Sequence, residues 1–159
     1  MVLIRTPTGM RERPPDVNEE TLRKATEALG ARPEVVLAYL FGSHARGRPR
    51  PISDIDFAIL LSGTVPRDSY LDAQIALTQV LTRIFRSDEV QVVILNRAPP
   101  LLAYKVIVEG RLLVCQDQMA RVRFQVRATQ RYFDTRPMRK ALAEATARRI
   151  REGRFGRRP

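Results

Sequence analysis

The sequence of 159 residues contains one cysteine, one histidine and no long hydrophobic run. A single cysteine, Cys115, excludes an internal disulfide, and no set of cysteines and histidines has the spacing of a zinc site. No apolar segment approaches the roughly 20 residues needed to cross a bilayer, and the first residues lack the basic-then-apolar order of a signal peptide. We therefore expect a cytoplasmic protein that does not bind membranes.

Acidic residues are scarce in the last quarter of the chain, and this scarcity accounts for nearly all of the net charge of +11. Residues 119–159 contain twelve arginines and one lysine but only three acidic residues, whereas the remainder is almost neutral. Such a block favours an anionic partner, such as nucleic acid, nucleotide phosphates or an acidic protein surface. A basic helix that simply faces solvent explains the composition equally well.

The spacing of apolar residues predicts an α/β (α+β) domain followed by basic helices. Residues 1–15 are expected to form an irregular arm, residues 16–118 a folded domain, and residues 119–159 a helical extension that breaks near Pro137. The link between the first two strands, residues 42–53, is too short for a crossover helix, so these strands are predicted to be antiparallel. Strands are predicted at Val35–Phe41, Ile55–Leu61, Val90–Leu95 and Leu112–Cys115, and helices at residues 16–30, 68–86, 99–110, 119–131 and 138–151.

Asp54 and Asp56 lie at the start of the second predicted strand, two residues apart and therefore on one face of it. Two carboxylates this close repel each other unless a divalent cation compensates, and Mg²⁺ prefers such oxygen ligands. Sites that transfer phosphoryl or nucleotidyl groups use carboxylates that bridge two ions about 3.5–4 Å apart. Because an isolated Asp-x-Asp pattern is more often a solvated turn, the prediction depends on the neighbouring residues.

Gly42 and Ser43 follow the first predicted strand directly. Glycine allows a phosphate to approach the backbone, successive N–H groups form an anion-binding concavity, and the serine hydroxyl adds a donor. Arg46, three residues later, is placed to contact a phosphate oxygen through its guanidinium group, and His44 is expected to be a loop residue near the phosphate. The succession of strand, Gly-Ser turn, polar connection and Asp-x-Asp strand predicts a nucleotide site.

Two segments, residues 40–47 (LFGSHARG) and 53–58 (SDIDFA), resemble the signature of the DNA-polymerase-β-like nucleotidyltransferases. The closest likeness is to the minimal nucleotidyltransferases (MNT), and it extends over residues 35–116. The resemblance implies a fold like the polymerase-β palm, with a small mixed sheet flanked by helices and a basic helical extension added at the C-terminus.

The resemblance also implies roles for the residues that match the family signature in these two segments. Gly42 and Ser43 would hold a nucleoside triphosphate, and Asp54 and Asp56 would hold two Mg²⁺ ions. The reaction would be in-line attack on the α-phosphorus of ATP or another triphosphate, with release of pyrophosphate. Members of the MNT group often pair with a HEPN-domain toxin and can adenylylate it on a tyrosine, so we expect AMP transfer to a HEPN-type partner; the oligomeric state stays open.

Gln91 departs from the family pattern, which usually has a third carboxylate in this strand. A glutamine amide offers a neutral oxygen ligand but cannot act as a base. Glu89, two residues earlier, would lie on the same face if the strand began there, and is a candidate substitute at a different depth. Two alternatives therefore accompany the enzyme hypothesis. One is a weakened relative that acts as a partner-binding antitoxin subunit, and the other is a protein that binds nucleic acid through residues 119–159.

Overall fold

Four strands and six helices form the part of the chain that the structure, a computed structural model, describes, namely residues 17–45 and 54–153. The predicted arm at residues 1–15 and Arg46 lie outside these residues. The strands are β1 Val35–Phe41, β2 Ile55–Leu61, β3 Val90–Ile94 and β4 Arg111–Cys115. The helices are α1 Glu19–Gly30, α2 Gly42–Ala45, α3 Tyr70–Phe85, α4 Pro100–Glu109, α5 Gln118–Asp134 and α6 Arg136–Arg151. No helix within the described ranges is long and apolar enough to cross a bilayer.

The strands form one mixed sheet in the order β3-β2-β1-β4. β1 is antiparallel to both β2 and β4, whereas β2 and β3 are parallel. The antiparallel first pair confirms the prediction from the short connection, and the parallel pair is joined through α3, because a parallel pair needs a long crossover. All four predicted strands are present, although β3 ends one residue earlier than predicted and β4 begins one residue earlier.

Both faces of the sheet are covered by helices, which explains why β1 and β2 are almost continuously apolar rather than alternating. One face packs against α1 and α3 in a cluster that includes Leu29, Phe57 and Leu81. The other face packs against α4 and α5, where Tyr39 and Ala58 are buried together with Val106 and Phe124. The middle of the sheet is therefore dry on both sides, and only the strand ends can carry polar chemistry.

The two basic helices at the C-terminal end are held in different ways. α5 buries Phe124 and Ala128 against the sheet, whereas α6 buries none of its residues. α6 is attached to α5 mainly by Arg139, whose guanidinium carbon lies 4.3 Å from the centre of the Tyr132 ring. The Tyr132 ring in turn stacks on Tyr104 of α4, with 3.9 Å between ring centres. The region predicted as an extension thus consists of one helix that packs on the sheet and one that lies on the surface.

Asn96 connects the end of β2 to the turn that follows β3. Its Oδ1 accepts the Leu61 backbone N–H at 2.8 Å, and its Nδ2 donates to the Leu61 carbonyl oxygen at 2.9 Å. The half-buried Asn96 side chain thereby takes the place of a neighbouring strand for Leu61, the last residue of β2. Without it, the N–H and the carbonyl of Leu61 would lose these partners.

We predict that Asn96→Ala lowers the free energy of unfolding by about 1–3 kcal/mol, because two backbone groups lose their partner away from bulk water. Urea denaturation followed by circular dichroism measures this change. Gln130→Ala, which removes an exposed amide from α5, is the control and should alter stability by less than about 0.5 kcal/mol. Equal midpoints for the two variants would contradict the role of Asn96.

Candidate active site

Gly42, at the junction of β1 and α2, has a backbone that only glycine adopts without strain. Its φ is +74°, in the left-handed region. A Cβ atom added there would overlap Oδ2 of Asp56 and lie 3.2 Å from its Cγ. Glycine is therefore required both by the turn and by the close approach of the Asp56 carboxylate to the backbone.

Strand register brings Asp56 to this turn. Phe41, the residue before Gly42, is paired with Asp56 across β1 and β2, and Asp56 is paired with Gln91 across β2 and β3. Directly opposed residues in a sheet project from the same face. Gly42, Asp56 and Gln91 therefore meet at one end of the sheet, although they come from three separate strands or turns.

Asp54 directly precedes β2 and joins the same cluster through Gln91. The Gln91 Nε2 atom donates a hydrogen bond to Asp54 Oδ2 at 2.5 Å. Since an ionised carboxylate can only accept, the amide nitrogen must be the group that faces it. Asp54 and Gln91 are exposed, while Asp56 is half-buried. The two aspartates therefore differ: the carboxylate of Asp54 is open to solvent and that of Asp56 is packed against the protein.

The Asp56 carboxyl has a raised pKa. Burial is the largest cause, the charge of Asp54 adds to it, and the nearby His44 imidazole lowers the pKa in the opposite direction. Ionised Asp56 thus costs free energy in the folded protein, and a positive charge placed between the two carboxylates would offset this cost. His44 was predicted to lie near the phosphate; in the structure it lies in α2 and influences Asp56 electrostatically.

The two aspartates fit a divalent cation, because they present carboxylate oxygens on one face beside a backbone turn that needs glycine. Within residues 17–45 and 54–153, no three aspartate, glutamate, histidine or cysteine side chains are grouped to hold a metal ion. The Glu89 backbone carbonyl accepts the Ile55 N–H at 2.8 Å, and a ligand role for the Glu89 side chain stays a prediction. The side chain next to the aspartates is that of Gln91.

The structure places two of the three predicted nucleotide-binding residues. Gly42 and Ser43 open α2, next to Asp56, whereas Arg46 lies outside the described residues. The family resemblance places Gln91 beside the aspartates as a possible third ligand. The hydrogen bond from its amide nitrogen to Asp54 goes beyond that prediction, because it depends on the parallel register of β2 with β3.

Comparison with known proteins agrees with the family resemblance of residues 40–47 and 53–58. A family model described as polymerase beta, nucleotidyltransferase matches residues 23–119, and no curated protein sequence matches the chain. Several solved structures resemble it. One is a toxin–antitoxin structure with AMP-PNP, 29% identical with a TM-score of 0.65, in which 82% of this chain and 99% of the other are covered.

The second structure is a chain of the MntA–HepT toxin–antitoxin complex, which is 27% identical with a TM-score of 0.63; the match covers 82% of this chain and 99% of the other. The third belongs to a complex of tri-AMPylated Shewanella oneidensis HEPN toxin with MNT antitoxin. It is 26% identical with a TM-score of 0.59, and covers 80% of this chain and 94% of the other. The mixed sheet with its flanking helices is thus the polymerase beta nucleotidyltransferase fold.

We predict that Gly42→Ala destabilises the protein by about 1–3 kcal/mol, because alanine is strained at positive φ and its methyl group displaces Asp56. Thermal or urea unfolding measures the loss. Gly63→Ala is the matched control, since a Cβ atom at Gly63 meets no atom within 4 Å and the backbone is not left-handed. If both variants unfold at the same temperature or urea concentration, the close approach of Gly42 to Asp56 is not present in solution.

Proposed function

The chain belongs to the polymerase beta nucleotidyltransferase family, and on this basis we propose that it transfers AMP from ATP to a hydroxyl group of a HEPN-type toxin. The observation that carries the proposal is the contact between the Gly42 turn and the Asp56 carboxylate, with Asp54 on the same face. This arrangement places groups that can bind a triphosphate beside groups that can bind cations.

Binding of the nucleotide is the task we assign to the start of α2. The Gly42 backbone and the Ser43 hydroxyl would donate hydrogen bonds to phosphate oxygens, which is the use of a glycine turn that leaves backbone N–H groups open. Asp54 and Asp56 would hold two Mg²⁺ ions. When bound, these ions would neutralise the charge of the triphosphate and stabilise charge that develops during transfer.

The proposed step forms a phosphodiester bond and breaks a phosphoanhydride bond. The acceptor oxygen bonds to the α-phosphorus of ATP, the bond from that phosphorus to the β-phosphate bridging oxygen breaks so that pyrophosphate leaves, and the hydroxyl proton passes to water. The chain contributes by fixing the triphosphate and the cations relative to each other, because transfer of this kind depends chiefly on positioning and electrostatic stabilisation.

A HEPN-type acceptor is supported by the similar structures. All three are toxin–antitoxin structures, and in one the HEPN toxin is tri-AMPylated. Another of the three holds AMP-PNP, an ATP analogue, which supports ATP as the nucleotide. For the present chain, partner and nucleotide are proposals that rest on these likenesses and on the site geometry.

Gln91 favours a second candidate function, that of a partner-binding subunit with weak or no chemistry. Its amide cannot accept the acceptor proton, and its nitrogen rather than its oxygen faces Asp54. In that case the chain would restrain a toxin by contact alone. Binding of nucleic acid through residues 119–159 stays a prediction of the charge distribution.

We predict that this chain, with Mg²⁺ and ATP labelled at the α-phosphate, transfers the label to a cognate HEPN protein. Asp54→Asn and Asp56→Asn should each reduce the rate by at least about 100-fold, because cation binding is impaired. Asp68→Asn, an exposed aspartate after β2, is the control with unchanged rate. Complex formation is measured in parallel: a stable complex without transfer would reject the enzyme and favour the partner-binding subunit.

A second prediction concerns Gln91. Replacing it by glutamate supplies a carboxylate that can accept a proton, so Gln91→Glu should raise the transfer rate by about tenfold or more. Gln91→Ala removes the hydrogen bond to Asp54 without adding a base and should not raise it. Single-turnover transfer rates distinguish the two variants. If Gln91→Glu is no faster than Gln91→Ala, the missing carboxylate does not limit this protein.

A further inference from the structure

A second pocket lies at the end of the sheet opposite to the two aspartates. It has a volume of about 250 Å³ and is lined by residues that follow or end β2 and β3 and by one side of α5. Leu60 lines it near the end of β2, whereas Asp54 and Asp56 lie at the beginning of this strand. At about 3.3 Å per residue, the pocket is on the order of 15 Å from the aspartates.

Three arginines surround this pocket. Arg127 and Arg131 project from α5, and Arg67 comes from the 3₁₀ turn Arg67–Ser69 that precedes α3. Within the described residues, none of the three side chains forms an ion pair or a hydrogen bond, although other arginines such as Arg23 and Arg32 do.

The three arginines are exposed and have no acidic partner in the part of the chain that the structure describes, so they repel one another weakly through solvent. Arg127 and Arg131 are four residues apart on one helix, where like charges repel and destabilise the helix. Arg67 adds a third positive charge from a different element. An anion in the pocket would turn this repulsion into attraction, and guanidinium groups bind phosphate oxygens in a forked geometry that lysine does not offer.

The floor of the pocket is apolar and indicates what else the ligand must carry. Leu95 and Phe124 line it, and Tyr70 also borders it. A cavity of about 150 Å³ lined by apolar side chains is sufficient for benzene, so the present volume accommodates a group of that size together with one phosphoryl group. A bare inorganic anion would leave the apolar floor without contact, and a neutral ring would leave the arginines unpaired.

We propose that this pocket binds a small organic phosphomonoester, with the phosphate between the three arginines and the organic part on the apolar floor. The site is separate from the proposed nucleotide site and needs no metal ion.

The test uses phenyl phosphate as the probe, titrated into the full chain by calorimetry in EDTA at fixed ionic strength. Phenyl phosphate should bind at least about tenfold more tightly than phenol or inorganic phosphate, each of which has only half of the required chemistry. Arg127→Ala with Arg131→Ala should weaken phenyl phosphate binding by at least about tenfold, since two charge-assisted contacts are lost.

Matched variants separate this pocket from general charge attraction. Arg148→Ala with Arg149→Ala removes the same charge from the exposed surface of α6 and should change affinity by less than about twofold. Asp54→Asn with Asp56→Asn should also leave it unchanged within about twofold. Arg67→Ala removes a pocket arginine that does not belong to α5, and it should also weaken the binding of phenyl phosphate. This variant keeps the test available if the α5 double variant fails to fold.

The proposal is overturned by any of three results: no binding of phenyl phosphate to the wild type, an equal loss in both arginine pairs, or retained affinity in Arg67→Ala and in the α5 variant. Because no ATP, Mg²⁺ or toxin is present, these outcomes do not depend on whether the proposed nucleotide transfer occurs.

Discussion

The antiparallel register of β1 with β2 is the constraint on which the candidate site depends. It sets Phe41 opposite Asp56, so that the left-handed turn at Gly42 lies against the Asp56 carboxylate. A slip by one residue would send Asp54 and Asp56 to the opposite face, among the apolar side chains of α1 and α3. Burying the two carboxylates among apolar side chains would be costly and opposes such a slip, so the polar residues at the start of β2 help to specify the register.

Electrostatic cost is concentrated at this end of the sheet. Asp56 is half-buried beside another carboxylate, and its pKa is raised for both reasons. His44 and the amide of Gln91 offset part of the negative charge without removing it. Carboxyl groups with a perturbed pKa are more frequent at functional sites than elsewhere, so the raised pKa of Asp56 supports the proposed ligand site.

The basic C-terminal quarter divides into two physically different parts. α5 uses Phe124 and Ala128 to cover one face of the sheet, and its arginines at 127 and 131 border a concave pocket. α6 has no buried residue and presents its charges to solvent, with Arg139 placed over the Tyr132 ring of α5. The positive charges of α5 and α6 therefore belong to two separate surfaces. A ligand that binds in the pocket need not be the molecule that binds α6.

The order of amino acids was sufficient to locate all four strands and the helix before β3, because long apolar runs that end in glycine or acidic residues have few alternative structures. It also identified the aspartate pair and the Gly-Ser turn, since both are local patterns carried by consecutive residues. The family resemblance placed Gln91 near the aspartates, but the hydrogen bond from its amide nitrogen to Asp54 was beyond it, because this bond requires the parallel register of two strands separated by α3. The same holds for Arg67 beside Arg127 and Arg131: only packing of α5 on the sheet brings those distant charges around one pocket.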